Sequence, residues 1–548
     1  MFYRSLLMTN AVTTALLALA AGLPSQGQAA EGSSVTDEIV VTAQRREENV
    51  QDVGIAITAF SAAQMKELGF TEAVDLVAQS PGLSVARPGA GSINIFSIRG
   101  VTQADYGPNQ EGPVALYVDE AYISQNVVTN FSLYDLERVE VLRGPQGTLF
   151  GRNATGGLVQ YVTRKPSQDS DASVEVQLGS DGRQRVEAAV GGGFSDTVAG
   201  RISGVRNLSD GLMENSIGKD GQAADDYSAR GQLLFEPSDD LSILVKGQYS
   251  RDDSDRGNYF HETGDAGAFT PAPATDFFGY REPDGDPWTG AWDFNGFNKA
   301  DVAQGTVKVD WKLGATTLSY VGDYQDIEHR YGEDSDVSPN NVFNFTQATD
   351  VSQWSQELRL AWDGDGVRAV GGLYLLDIDG DYSRDSLVFG QTDVDWADAF
   401  YGIPEPGGYR LADEFTQGTK TWAVFAQGDY DLTETLTLTA GARWTHDKKD
   451  FDFQQAWLGA EGLYVFFADA APGDVPYFDY RNSISDGDWS GKVQLNYKPS
   501  DDILWYGSIN RGIKSGGFNS PVDATGLLAT NIDEQFIPFD QNNAVMEY

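Results

Sequence analysis

"TLTLTAGARW", residues 435–444, has two faces, and they decide how the chain folds. Successive side chains of a strand point to opposite sides, so Leu436, Leu438, Ala440, Ala442 and Trp444 share one face, opposite Thr435, Thr437, Thr439, Gly441 and Arg443. The period recurs in "TVKVDWKL" (306–313), where Val307, Val309, Trp311 and Leu313 oppose Lys308, Asp310 and Lys312. It recurs again where Trp354, Leu358, Leu360 and Trp362 face away from Glu357 and Arg359. Roughly thirteen such segments of about eight to twelve residues start near 173, 183, 198, 227, 241, 305, 316, 353, 366, 420, 435, 488 and 502, and a fourteenth begins at the end. Tilted membrane strands need about this length.

The connections separate a membrane barrel from a soluble sandwich. Tight turns at "FSDT", "EPSDD", "KLGAT", "DGDG", "DLTET" and "KPSDD" alternate with long stretches near 209–226, 253–304, 326–352, 380–419 and 448–487. A sandwich has no reason to gather every long loop at one end, whereas an outer-membrane barrel pairs short periplasmic turns with long external loops. Tyr320, Trp362, Tyr430, Trp444 and Trp505 stand near strand ends, as interfacial aromatic girdles require.

Composition agrees. In 548 residues there are 61 Gly, 24 Tyr, 28 Phe, 11 Trp and no Cys, so stability must come from closure and packing rather than disulfides. The formal net charge of −43 argues against nucleic acid; it either lets Asp-rich loops attract cations or only keeps exposed loops soluble. Residues 1–30 read as a secretory leader: Arg4, an apolar core from Ala11 to Leu23, then small residues with cleavage expected after Ala29 or Ala30.

Residues 31–49 are polar except for "DEIVVTA", Asp37, Glu38, Ile39, Val40, Val41, Thr42 and Ala43. A lone short strand of this kind either docks on its own sheet or waits for a partner's edge. Residues 50–166 read as a compact α/β domain. Two short helices start behind Ser61 and Thr71 as N-caps, and strands follow at "INIFSIRG", "VALYVDE", "VEVLRG" and "GLVQYVTRKP". The remainder, 167–548, reads as barrel.

Within the α/β domain "VEVLRGPQGTLFGRNATGG" (139–157) looks at first like a phosphate loop. No Gly-Lys in the chain is followed by Ser or Thr, so no P-loop is present, and hydrolase and zinc-protease signatures are absent. His261, His329 and His446 are isolated, and "SRDDSDRG" and "DIDGDYSRDS" read as solvated loops rather than calcium sites. Neither a catalytic residue, a metal site nor a cofactor is expected.

The leader, the "EIVVTA" stretch, "SIRG", "VEVLRGPQGTLFGRNATGGLVQYVTRKP", the late "YGSINRGIKSGGFN" and the long-looped barrel pattern together resemble the TonB-dependent receptors of Gram-negative outer membranes. The resemblance implies a mainly β fold, an antiparallel barrel of twenty-two strands with an α/β plug inside. It implies that Asp37–Ala43 is the TonB box, which pairs as an added strand with TonB. It further implies active import of an external small ligand, by default a ferric siderophore or other iron complex; oligosaccharide, cobalamin and aromatic cargoes remain open. Such a protein hydrolyses nothing itself. A passive porin or a secreted β-rich binding protein is the alternative of another class.

The resemblance assigns residues as well. Arg99 of "SIRG" and Arg143 of "VLRGP" match family plug arginines that pair with glutamates of the barrel wall, which suits guanidinium–carboxylate forks in a confined lumen. Glu547 is one candidate partner and the inward-facing Glu357 a second; tying of plug strands is the alternative role for the two arginines. Gly144, Pro145, Gly147, Gly151, Arg152, Asn153, Gly156 and Gly157 form the plug motif, with Arg152 and Asn153 unassigned beyond matching it. The chain stops after about thirteen strands, so it is expected to be a piece of a longer barrel, since an open sheet edge in lipid is prohibitively costly.

Overall fold

The computed structural model describes residues 39–88, 92–103, 107–129, 132–255, 280–388, 409–459, 478–520 and 545–547. The leader and Asp37 and Glu38 lie outside the described residues. The N-terminal part holds β1 (Val40–Val41), β2 (Glu48–Asn49), β3 (Ala56–Ser61), β4 (Leu83–Ala86), β5 (Ile95–Ile98), β6 (Val114–Val118), β7 (Ala121–Ile123), β8 (Leu136–Arg143) and β9 (Gly157–Thr163). Five of these form a mixed sheet in the order β3-β8-β9-β6-β7, with β6 parallel to β9.

Helix α1 (Ala62–Leu68) is capped by Ser61 in a reciprocal capping box with Gln64, and Gly69 closes it in the left-handed conformation. The second helix differs from expectation. It is a 3-10 turn over Ala73–Gln79 whose N-cap is Glu72, because the Asp75 carboxylate takes the amides of Thr71 and Glu72 at 2.7 and 2.9 Å. A short α2 (Gly147–Phe150) lies inside the plug motif.

The wall begins with β10 (Asp171–Leu178), β11 (Gln184–Ser195), β12 (Val198–Ser209), then a two-residue β13 (Glu214–Asn215), β14 (Ala224–Ser238), β15 (Leu241–Ser254) and β16 (Thr289–Gly290). It continues through β17 (Phe297–Leu313), β18 (Thr316–Asp334), β19 (Phe343–Gly364), β20 (Val367–Val388) and β21 (Tyr409–Thr433). It ends with β22 (Leu436–Gly459), β23 (Phe478–Ser500), β24 (Ile503–Gly512) and β25 (Val545–Glu547). All but β13 and β16, which pair with each other, form one 14-stranded sheet in chain order.

The alternation of this sheet is inside-out relative to a soluble protein. On β19, Glu357 and Arg359 are 6% and 4% exposed, while their neighbours Leu358 and Leu360 are 44% and 53% exposed. On β22, Thr439, Arg443, Thr445, Asp447 and Lys449 are buried and Trp444 is exposed. Apolar residues out and polar residues in is the pattern of a wall with lipid outside and a polar lumen within.

Two aromatic bands bound the apolar face. Tyr324 pairs with Trp354 and Trp444 with Trp489 across neighbouring strands, and Trp422 packs on His446 at 5.7 Å. Further down the same faces stand Trp362, Tyr430 and Tyr497. From Trp354 to Trp362 the strand rises about 27 Å, or about 20 Å along the barrel axis at a typical tilt, close to the ~25 Å apolar band of outer-membrane barrels.

Several strands start earlier than their sequence pattern suggests: Phe297, Phe343, Tyr409 and Phe478 instead of 305, 353, 420 and 488. Above the upper band the outward residues meet water rather than hydrocarbon, so Asp350, Asp381, Glu414 and Asp452 are tolerated there. Hydrogen bonding continues where the apolar alternation stops.

Leu358 lies midway between the bands. Leu358→Arg in the intact barrel is expected to cost about 2–4 kcal/mol, and Trp362→Arg near the interface only about 0–1 kcal/mol. Equilibrium unfolding in lipid vesicles checks this, since equal costs would contradict the assigned depth.

Candidate functional site

The N-terminal segment is folded back into the lumen. Val40 and Val41 pair antiparallel with Asn49 and Glu48, and the Val50 amide donates to the Ile39 carbonyl at 2.9 Å. Thr42 donates twice to Glu140 Oε1, from its amide at 2.9 Å and its hydroxyl at 3.1 Å. Gln160 Nε2 donates to the Thr42 hydroxyl at 2.6 Å, and Arg138 Nε to Glu140 at 2.8 Å. Burial raises the Glu140 carboxyl above its ordinary range, with Arg138 and the Thr42 amide working against that rise. Val41 and Ala43 are buried in the main apolar cluster.

Immediately behind the segment, Arg45 adopts a left-handed backbone (φ 60°) and drives its side chain between plug and wall. Its guanidinium lies 3.4 Å from Glu120 of the plug and 3.4 Å from Glu357 of β19. It also sits 4.3 Å over the Phe150 ring and 5.4 Å from that of Tyr117, a cation–π seat in a dry environment. Glu120 further contacts Lys308 of β17 and Arg359 of β19, and Arg359 Nη1 reaches Glu357 at 2.8 Å. Burial alone would raise the Glu120 carboxyl; Arg359, Lys308 and Arg45 hold it well below the usual range. Arg46 adds a contact to Asp429 of β21.

A second cluster holds the plug apex. Glu111 accepts from Arg152 Nη1 at 2.8 Å, from Lys449 Nζ of β22 at 3.1 Å and from the Tyr122 hydroxyl at 2.9 Å. Burial works against the charge, yet Arg152 and Lys449 hold its carboxyl down to about 2. Arg152 also lies 3.7 Å from Asp447. Asp119, bonded to Lys246 of β15 and to Thr163, is likewise held near about 2 against its burial.

The plug motif thereby gains a geometry. Asn153 (φ 67°) donates its amide to Ile513 O at 2.9 Å, accepts from Ser515 N at 3.0 Å and donates to Tyr122 at 3.2 Å. Gly157 (φ 145°) lies where a Cβ would stand 2.1 Å from Leu142 O. Gly147 is pressed against the wall, where a Cβ would meet Ser490 Oγ at 2.7 Å and Gly512 at 3.1 Å. Gly144 donates to Gly156 O, Pro145 lies against Gly512, and Gly151 packs on Arg443.

The other expected partners are arranged differently. Arg143 donates to Pro81 O at 3.1 Å and to Ala56 and Ile57 carbonyls at 3.4 Å each, all within the plug. Arg99 is exposed with a left-handed backbone (φ 54°), its amide on Gly82 O at 2.8 Å. Neither is brought to Glu357, whose plug partner is Arg45, because β8 ends with Arg143 beside Ala56 at the edge where β3 joins it. Glu547 lies on β25 opposite Asn510 of β24. Strand parity had flagged Lys308 and Glu357 as inward, but Arg45, Glu111 and Glu120 sit in sequence with no periodicity to mark them.

A strand meander with a polar interior and a lipid-facing exterior, filled by its own N-terminal domain, defines a plugged outer-membrane barrel. The family described as TonB-dependent Receptor Plug Domain matches residues 49–158, and the family TonB dependent receptor-like, beta-barrel matches residues 248–543. The chain belongs to the TonB-dependent receptors, which are Gram-negative outer-membrane proteins. The pesticin receptor of Yersinia pestis is 25% identical over 536 residues, covering 94% of this chain and 69% of its own length. The crystal structure of the ferric yersiniabactin uptake receptor FyuA from Yersinia pestis matches with a TM-score of 0.69 at 21% identity, over 85% of this chain and 66% of that one. The open form of the Ferric-Catecholate import receptor Fiu from E. coli K12 matches with a TM-score of 0.65 at 16% identity, over 88% and 73%. The chain thus spans about two thirds of the length of such relatives.

Glu120→Gln would leave Arg45, Lys308 and Arg359 facing one carboxylate, and is expected to destabilise plug docking by about 3–5 kcal/mol. Arg45→Met leaves two cations against two carboxylates and should cost clearly less; chemical unfolding followed by plug protease resistance ranks the two. Glu111 and Asp119 have depressed folded values near about 2. Their contribution is therefore complete above the unfolded value of about 4 and is lost as pH falls toward about 2. Protease resistance of the plug should be flat from neutral pH to about 5 and collapse below about 4.

Proposed function

We propose that the receptor containing this chain imports a scarce external ligand across the outer membrane, energised by TonB pulling on Asp37–Ala43. An iron complex is the default cargo, supported by relatives whose names specify ferric yersiniabactin and ferric catecholate uptake. No nucleotide-binding signature accompanies the plug, so the energy must come from outside the chain.

The observation that carries this is the order of attachments behind the box. Val40–Val41 is held by a two-residue ladder, Thr42 by one carboxylate, and Arg45 by a buried pair of carboxylates bridging plug and wall. A partner strand added to the box and drawn toward the periplasm would release these in chain order. Extraction of Arg45 removes one cation from the cluster at Glu120 and Glu357 and leaves Glu120 held to the wall by Lys308 and Arg359 alone. The plug shifts from there, and a path opens for ligand held at its outer apex.

In the intact receptor, deletion of residues 37–43 is expected to abolish uptake while leaving ligand binding at the cell surface unchanged. Uptake at the wild-type rate in that deletion would contradict the energised mechanism.

A further inference from the structure

One buried cation beside the Arg45 site has no counter-ion. Arg443 of β22 is 3% exposed, and among the described residues it makes no ion pair. Its Nε donates to Thr445 Oγ1 at 3.0 Å, while Nη1 has no hydrogen-bond partner among the described residues. The guanidinium is seated on rings instead, 5.2 Å from the centre of Phe425 and 5.4 Å from that of Tyr374. Its flat face lies on Gly151 of the plug motif, where a Cβ would stand 2.8, 2.9 and 3.0 Å from Nη2, Cζ and Nε. Two rings and one hydroxyl offset only part of the cost of burying a guanidinium without a carboxylate.

Glu357 is the carboxylate that attracts Arg443, and Arg45 is the cation that repels it. Arg359 and Arg443 lie in one register row from β19 to β22, with Gly372 and Phe425 between them. Tyr374, whose ring Arg443 borders, is the direct cross-strand partner of Glu357. At rest the two oxygens of Glu357 are held separately, Oε1 by Arg359 Nη1 at 2.8 Å and Oε2 by Arg45 Nη2 at 3.4 Å. Withdrawal of Arg45 frees Oε2 inside a dry interface and removes the repulsion on Arg443 at the same moment. The freed acceptor and the unpartnered Nη1 then share the neighbourhood of Tyr374, and an arginine stem changes rotamer more easily than the packed wall around it moves.

We infer that Arg443 is a replacement counter-ion: when Arg45 is drawn out behind the box, Arg443 swings to Glu357 Oε2 and keeps that carboxylate paired. The latch then opens without leaving a buried carboxylate oxygen bare. The inference rests on the import reading for the pulling step, and on the resting geometry alone for the exchange of partners.

The exchange is tested without TonB, on purified intact receptor, by a double-mutant cycle read as the rate of native-state proteolysis of the plug. In the otherwise wild-type receptor Arg443→Met is expected to change that rate less than about twofold, since it removes a cation that makes no ion pair. In the Arg45→Met background the same substitution is expected to raise it at least about tenfold, and Arg443→Lys, which keeps the charge, less than about threefold. With Glu357→Gln added, the effects of Arg45→Met and Arg443→Met should become independent. Equal factors for Arg443→Met in the two backgrounds, a lysine variant as labile as the methionine one, or coupling that persists with Glu357→Gln would each overturn the inference. So would failure of the receptor to assemble with Arg443→Met alone. If only the Arg45→Met, Arg443→Met receptor fails to assemble, Arg443→Lys decides: assembly in the Arg45→Met background supports the exchange, and failure overturns it. Energised uptake plays no part in these rates, so loss of the pulling mechanism would leave the exchange standing, whereas independent effects in a receptor that still imports would overturn the exchange alone.

Discussion

Everything in this structure depends on the wall presenting apolar side chains to hydrocarbon, which forces its polar set inward. Within hydrocarbon a backbone polar group has no water to turn to, so the strands satisfy one another and the alternation selects lipid outside. The consequence falls on the interior. Arg201, Arg230, Lys246, Arg359 and Lys449 are buried between wall and plug, and Lys308 is nearly so. A plug with an apolar surface would take Lys246 and Lys449 away from their carboxylate partners and leave Arg201 and Arg359 with only their wall partners Asp171 and Glu357, at several kcal/mol for each unpaired charge. This plug answers with Asp119, Glu120, Asp135 and Glu111, and the two domains fit because their charges are complementary.

That dependence bears on how a tightly held plug would move under the proposed mechanism. Ion pairs bind plug to wall with directional contacts, beside an apolar cluster in which Leu149 and Phe150 of the plug meet Val351 and Phe425 of the wall. Arg45 occupies the decisive position, two residues beyond the proposed box and in contact with plug, wall and two aromatic rings at once. The Asn153–Ser515 contact reaches the other way, from the plug motif to the segment that carries Phe518, whose carbonyl accepts from Asn109 and Gln110. Arg45 and the segment after β24 thus meet the same small region of the plug, at Phe150 and Asn153.

Much of the fold was legible in the sequence, because lipid imposes a strict period on outward residues. All fourteen strands of the sheet correspond to segments marked by alternation or by the start at the chain's end. Where the wall rises above the hydrocarbon that period lapses, and the first residues of β17, β19, β21 and β23 could not be told from loop. The site was less legible. Glu357 was marked by parity on a strand, but its partner Arg45 sits in "TAQRREEN", a run of polar residues that gives no hint which one is buried. Arg143 shows the same limit in reverse, since a motif position names the residue while the carbonyls it reaches, those of Ala56, Ile57 and Pro81, depend on how β3 and β4 come together in space.

The central claim is that the box is latched through Thr42 and Arg45 and leaves before the plug core yields. Hydrogen exchange of the intact receptor, with and without the periplasmic part of TonB, tests it most directly. The amides of Thr42 and Val50 should be protected at rest and lose protection when the partner is added, while Val141 and Val159 in the central sheet stay protected. Unprotected Thr42 and Val50 amides in the resting receptor, or simultaneous loss of protection at Val141 and Val159, would contradict it.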